Sequence, residues 1–205
     1  YQPELMEVYA ALADEKSREV LAATLNYKLS GKPSYLETIT TMRQEDCQQI
    51  FQFGKDETFV DLGAYDGDTI KECLNYTDSS YREIVALEPD SKNFKKLQRF
   101  VEDAGLEHVH LLNKGIWSEE GTLSFAASGG RQSALQSGGK VEVPVDSVDH
   151  IMQGRTVSYM KLDVEGAEFE ALSGAAETIG KWAPKLFVAA YHRDDDLWRL
   201  PLLLW

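Results

Sequence analysis

A single stretch, Thr58 to Thr69, reading TFVDLGAYDGDT, sets the terms on which this chain can fold. The apolar residues Phe59, Val60 and Leu62 lead through Asp61 into Gly63 and Gly67, and a helix-compatible segment starts at about Asp68. That order predicts a buried strand, a tight glycine turn and a helix start. In open α/β sheets such a turn lies outside the carboxyl end of its strand, where ligands bind. Its glycines admit conformations and close approaches that a Cβ would block. The spacing is neither that of a P-loop nor the GxGxxG of a dinucleotide site. The turn carries Asp61, Asp66 and Asp68 but no Lys or Arg, so a pyrophosphate on it would face several carboxylates at short range. A cationic ligand is favoured instead, and the plain structural account of the same acids is a helix start that suits the helix dipole.

A chain of 205 residues is long enough for one sizeable core. Its formal charge of -13 argues against nonspecific binding to nucleic acid or to an anionic membrane surface, both of which need positive charge. No apolar run is long enough to span a bilayer, and the start lacks the basic and apolar regions of a signal peptide. The expectation is therefore a cytoplasmic protein acting on a small molecule, with no nucleic acid and no membrane span. Cys47 and Cys73 have no metal-binding spacing and read as small core residues.

Residues 1–54 read as an N-terminal helical extension and 55–205 as the main domain. Pro3 to Leu29 predicts two short helices, the second capped by Asp14 or Ser17 and ended by Gly31 and Pro33. A further helix is expected over Glu45 to Gln52. This extension could shield a cleft, hold substrate, form a homodimer contact or simply pack. From Phe59 onward strands and helices alternate, the pattern of a parallel sheet covered by helices. Strands are expected at Glu83–Leu87, Val109–Leu112, Val157–Val164 and Leu186–Ala190, with added strands at Thr122–Ala126 and Val141–Val145. Helices are expected at Ser91–Ala104 and Ala167–Ile179. The Gly/Ser-rich segment Ser128–Gly139, which carries Arg131, reads as a disordered loop or a mobile lid.

Two more stretches bear ionisable groups at strand ends. Glu88 ends the second strand, where a carboxylate can accept hydrogen bonds from both ribose hydroxyls of an adenosine. Lys161-Leu162-Asp163-Val164-Glu165-Gly166-Ala167-Glu168 ends the fourth. Strand alternation would place Lys161, Asp163 and Glu165 on one face. Lys161 then either pairs with a carboxylate or lines the cleft, because a lone buried ammonium is costly. Glu168 reads as a first-turn helix acid.

VDLGAYDGDT, ALEPD, KLDVEGAE with LSGA, and AAYHRDDDLW, in that order, resemble the FkbM family of S-adenosylmethionine (SAM)-dependent methyltransferases from about Thr58 to Trp205. The resemblance implies an α/β fold: a Rossmann-like SAM methyltransferase sheet in three α/β/α layers, with the N-terminal helical cap. It implies SAM as cofactor and methyl transfer to a hydroxyl of a sugar, glycolipid or other secondary metabolite. Asp61, Gly63, Tyr65, Asp66 and Gly67 match the SAM loop, Glu88 the ribose acid, and Asp163 to Glu168 the acidic fourth-strand motif. Asn113 to Trp117 falls where adenine is usually flanked. Family members usually continue into a final antiparallel hairpin, whereas this sequence stops at LPLLLW.

A hydroxyl acceptor needs its proton removed as it attacks. His192, just after the fifth strand, is the base expected by residue type, with Asp163 or Glu165 competing and a structural bond to Asp194 or Asp195 as the plain reading. No metal is assigned, although these carboxylates could instead hold a divalent cation that lowers the acceptor's pKa. Two other functions stay open: a noncatalytic SAM-binding domain that binds partners, and a Rossmann-type oxidoreductase, disfavoured by the acidic turn.

Overall fold

The computed structural model describes residues 2–125 and 141–205. The Gly/Ser-rich segment with Arg131 lies outside the described residues. The chain divides into two compact units, residues 1–52 with 193–205, and residues 53–192.

The first unit is helical: α1 (Gln2–Ala11), α2 (Glu15–Ser30), α3 (Ser34–Glu37) and α4 (Arg43–Phe51). It also contains the last helix of the chain, Asp196–Leu204, which packs against α1. Asp14 caps α2 by accepting the Ser17 N–H at 2.8 Å, and Gly31 ends it in the left-handed conformation. Val8 and Leu200 are buried while Met6, Ile50 and Trp205 are exposed.

The second unit carries the sheet. Its elements in order are β1 (Thr58–Leu62), α5 (Asp68–Tyr76), β2 (Glu83–Leu87), α6 (Ser91–Asp103) and β3 (Val109–Leu112). These are followed by β4 (Gly115–Ile116), β5 (Gly121–Phe125), β6 (Val141–Asp146), α7 (Val148–Met152) and β7 (Tyr159–Leu162). It closes with α8 (Glu168–Ser173), α9 (Ala176–Trp182) and β8 (Lys185–Val188); the Asp196–Leu204 helix of the first unit is α10. Five strands form one parallel sheet in the order β3-β2-β1-β7-β8. This is a Rossmann-like parallel sheet in which the chain runs outward from β1 and then crosses back to β7. The order reverses between β1 and β7, and in such sheets that switch point opens a crevice at the strands' carboxyl ends. A second sheet joins β4, β6 and β5, with β4 parallel and β5 antiparallel to β6.

All residues of β1 and β7 are buried, as expected of central parallel strands covered on both faces. Phe59, Leu62, Ile70, Ile84, Leu87, Leu97, Met160 and Leu162 form the core. Each such side chain contributes about 1.5–3 kcal/mol relative to exposure. Cys73 belongs to this core, and its thiol is pushed up to about 12, chiefly by burial. Among the described residues no helix is long and apolar enough to cross a membrane.

Two expectations are corrected. The Ala167–Ile179 helix is two helices, α8 and α9, separated at Gly174, where a Cβ would lie 2.5 Å from the Trp117 carbonyl oxygen. The strand expected at Val157–Val164 ends at Leu162, so Asp163 and Glu165 lie in the following turn and do not share a strand face with Lys161.

Candidate active site

The site lies wholly within the second unit and begins with β1. Asp61 is fully buried there, and its Oδ2 accepts a hydrogen bond from Thr69 Oγ1 of α5 at 2.5 Å. Lys161, its register partner on β7, brings Nζ to 3.3 Å from Asp61 Oδ1 and donates to the Gly63 carbonyl at 2.7 Å. Burial pushes the Asp61 carboxyl above its ordinary value despite the charge of Lys161 and the Thr69 bond. Asp61 therefore braces the turn from beneath. Lys161 takes the paired alternative and points at Asp61, away from the role of lining a cleft.

The turn is held at the mouth of the switch point. The Gly63 and Ala64 N–H groups donate to the Leu87 carbonyl at 3.1 and 2.9 Å, tying the end of β1 to β2. Gly63 has φ +83°, and a Cβ there would collide with the Asp163 carbonyl oxygen. Only glycine fits, so the turn after β1 lies directly against the turn after β7. Gly67 has φ +93° and backs onto Phe100 and Leu97 of α6. Tyr65, at φ +49°, donates its N–H to Glu88 Oε2 at 2.8 Å.

Glu88 is buried at the end of β2, with Oε1 accepting the Asp90 N–H at 2.9 Å. Burial pushes its carboxyl up to about 7, against the two backbone N–H bonds that hold it down. Asn113 donates through Nδ2 to the Glu88 and Pro89 carbonyls at 2.8 and 3.2 Å, and so fixes the backbone beside that acid. Trp117 is half-buried and donates its N–H to the Asp146 carbonyl at 2.8 Å. Asp66 lines an open groove of about 500 Å³ with Lys71, Lys96, Arg99 and Phe100, residues not expected at a cofactor site.

Beyond β7 and β8 a second group converges. His192 Nδ1 lies 2.8 Å from Glu168 Oε1, and its Nε2 lies 3.4 Å from Glu165 Oε2 and 3.6 Å from Asp163 Oδ1. The Tyr191 hydroxyl donates to Asp163 Oδ1 at 3.2 Å, and its ring packs on that of His192. Glu168 is 1 % exposed, and Oε1 also accepts the Val164 N–H at 3.0 Å. Burial would raise its pKa, but the His192 bond and the backbone N–H outweigh it, and the carboxyl sits low. Burial works equally against the His192 cation, yet the Glu168 bond and then the charges of Glu168, Glu165 and Asp163 raise its pKa. Glu165, at φ +55°, is pushed up chiefly by burial, with the charge of His192 opposing.

The structure thus brings together Asp163, Glu165 and His192, all expected from sequence. It corrects the partner of His192: the imidazole is anchored by Glu168, not by Asp194 or Asp195. Thr69 is a positioning residue that sequence reasoning missed, and Glu168, read there as a first-turn helix acid, is the anchor of His192. A buried acid four residues after Val164 reads as an ordinary helix start until β8 is placed beside β7.

A family model, the methyltransferase FkbM domain, matches residues 61–202. The crystal structure of methyltransferase FkbM from Methylobacillus flagellatus KT superimposes with a TM-score of 0.84 at 24% identity, over 98% of this chain and 51% of that one. The chain thus spans about half the length of that protein. An rRNA methylase from Streptococcus thermophilus gives a TM-score of 0.46 at 10% identity, over 81% and 76% of the two chains. A SAM-dependent methyltransferase from Aquifex aeolicus gives 0.40 at 15%, over 84% and 86%. No curated protein sequence matches. The family model spans most of the chain and the sheet superimposes on that of an FkbM protein, so this chain belongs to the FkbM methyltransferase domain family.

Proposed function

We propose that this chain binds SAM in the crevice between β1 and β7 and transfers its methyl group to a hydroxyl oxygen of a sugar, glycolipid or secondary metabolite. The observation that carries the reading is the contact of Gly63 with the Asp163 carbonyl. It joins the acidic glycine turn to the turn bearing Asp163 and Glu165, so a donor on the first lies beside an acceptor at the second. The residues fit the donor. Glu88 would accept bonds from ribose hydroxyls once ionised, and the turn presents carboxylates to a sulfonium and an ammonium, the nearby Lys161 being already committed to Asp61 and the Gly63 carbonyl. When bound, SAM supplies an electrophilic methyl on a positively charged sulfur.

The chain's part is to align the acceptor and take up charge. As the acceptor oxygen forms its bond to the methyl carbon, the carbon–sulfur bond breaks and S-adenosylhomocysteine leaves. The hydroxyl proton is lost where His192 Nε2, Asp163 and Glu165 converge. Glu168 fixes the other ring nitrogen, so Nε2 is the edge turned to these two carboxylates. Replacing His192 with alanine is expected to abolish turnover on a hydroxylated acceptor while SAM still binds. Near-normal turnover in that variant would remove the residue from the mechanism.

A further inference from the structure

We propose that Asp163, Glu165 and His192 Nε2 form a binding site for one divalent cation, which takes the acceptor hydroxyl as a further ligand. The proposal deepens the reading of this cleft as the acceptor site and rests on it. The three ligand atoms all lie within 4.8 Å of one another. A small divalent cation about 2.0–2.2 Å from each ligand places neighbouring ligand atoms roughly 3 Å apart. Closure from 3.4 and 3.6 Å is a side-chain adjustment. The imidazole is already set up as a ligand: Nδ1 is engaged by a carboxylate, leaving Nε2 directed at the site, the outer-shell arrangement that orients and strengthens a histidine ligand.

Charge supplies a separate argument. Three carboxylates, of Asp163, Glu165 and Glu168, surround one imidazole, and among the described residues none of them forms an ion pair with a Lys or Arg. Lys161 is committed to Asp61 and the Gly63 carbonyl. Glu168 Oε2, on a side chain that is 1 % exposed, has no hydrogen-bond partner. One imidazolium leaves this partly buried cluster strongly negative, an arrangement that is costly without a further cation. The other trio of similar type, Glu120, Asp146 and His150, shows no such surplus. There Asp146 is met by Lys114 and His150, each at 2.7 Å. One imidazole and two carboxylates suit Mn²⁺, Mg²⁺ or a related first-row ion.

The bound cation lowers the pKa of the coordinated hydroxyl, whose proton passes to water in the open cleft; the alkoxide then attacks the methyl carbon. The cation so replaces the imidazole as the activating group. The test uses the full chain, stripped with chelator and titrated with MnCl₂ in the absence of SAM and acceptor, following free Mn²⁺ by its electron paramagnetic resonance. One saturable site per chain is expected, weakened at least tenfold in each of Asp163→Asn, Glu165→Gln and His192→Gln, and unchanged in Glu120→Gln. No saturable binding by a chain shown to be folded, or binding indifferent to all three substitutions, would overturn the proposal. SAM titration of the same samples separates this from the donor reading, because either ligand can bind without the other.

Discussion

Asp61 and Lys161 face each other across neighbouring strands, 3.3 Å apart, with the carboxylate fully buried and the lysine nearly so. Lys161 also holds the Gly63 carbonyl, so one buried ion pair connects the centre of the sheet to the turn proposed to carry the donor. Lys161→Met leaves Asp61 without its counter-charge and is expected to lower unfolding free energy by about 3–5 kcal/mol. Adding Asp61→Asn should recover much of that loss, since the pair is then removed together. Urea denaturation of the three variants checks this. A single Lys161→Met variant as stable as the parent would show that the pair does not brace the turn.

Glu168→Gln keeps the shape of the residue that anchors His192 Nδ1 but removes its charge. Turnover is expected to fall roughly 10- to 100-fold, the range seen when outer-shell partners of such histidines are lost, while SAM affinity stays the same. An equal loss of SAM binding would mean that Glu168 supports the fold of the donor site and has no particular bearing on His192.

The sheet was legible in the sequence because apolar runs at Phe59, Ile84, Val109 and Leu186 each end at a turn signal, and β1 with its glycine turn is local chemistry throughout. The break between α8 and α9 was not. The apolar spacing of Leu172, Ala175 and Ile179 continues through Gly174, and what interrupts it is the approach of the Trp117 carbonyl from a distant segment. Asp163 and Glu165 were misplaced for a related reason: alternation holds only while a strand lasts, and β7 ends at Leu162, just before Asp163. His192 and Glu168 are 24 residues apart, and only the adjacency of β7 and β8 brings them within a hydrogen bond.

Gly63→Ala puts a methyl group into the Asp163 carbonyl oxygen at a positive φ that L side chains rarely adopt. The turn after β1 must then move away from the turn after β7. SAM affinity is expected to drop at least tenfold, with a loss of stability of about 1–3 kcal/mol from backbone strain. Calorimetric titration and thermal unfolding of the variant check both. Unchanged SAM binding would disconnect this contact from the donor site.

Glu88 gives a pH signature. Its carboxyl in the ligand-free fold is raised to about 7 from 4.5, so the folded state holds a proton that the unfolded state has released between those values. Stability contributed by this group is present below the unfolded pKa and lost as pH rises toward 7. SAM affinity should run the other way, because ribose hydroxyls require the ionised carboxylate as acceptor. At pH 6 only about a tenth of Glu88 is ionised, giving roughly tenfold weaker binding than at pH 8. Glu88→Gln should flatten both profiles.

Calorimetric titration of the folded chain with SAM at pH 8, beside Glu88→Ala, tests the assignment of the crevice most directly. Saturable one-to-one binding in the parent, weakened at least tenfold in the variant, is the predicted result. A folded parent chain that takes up no SAM, or a variant that binds it as tightly as the parent, would contradict the account.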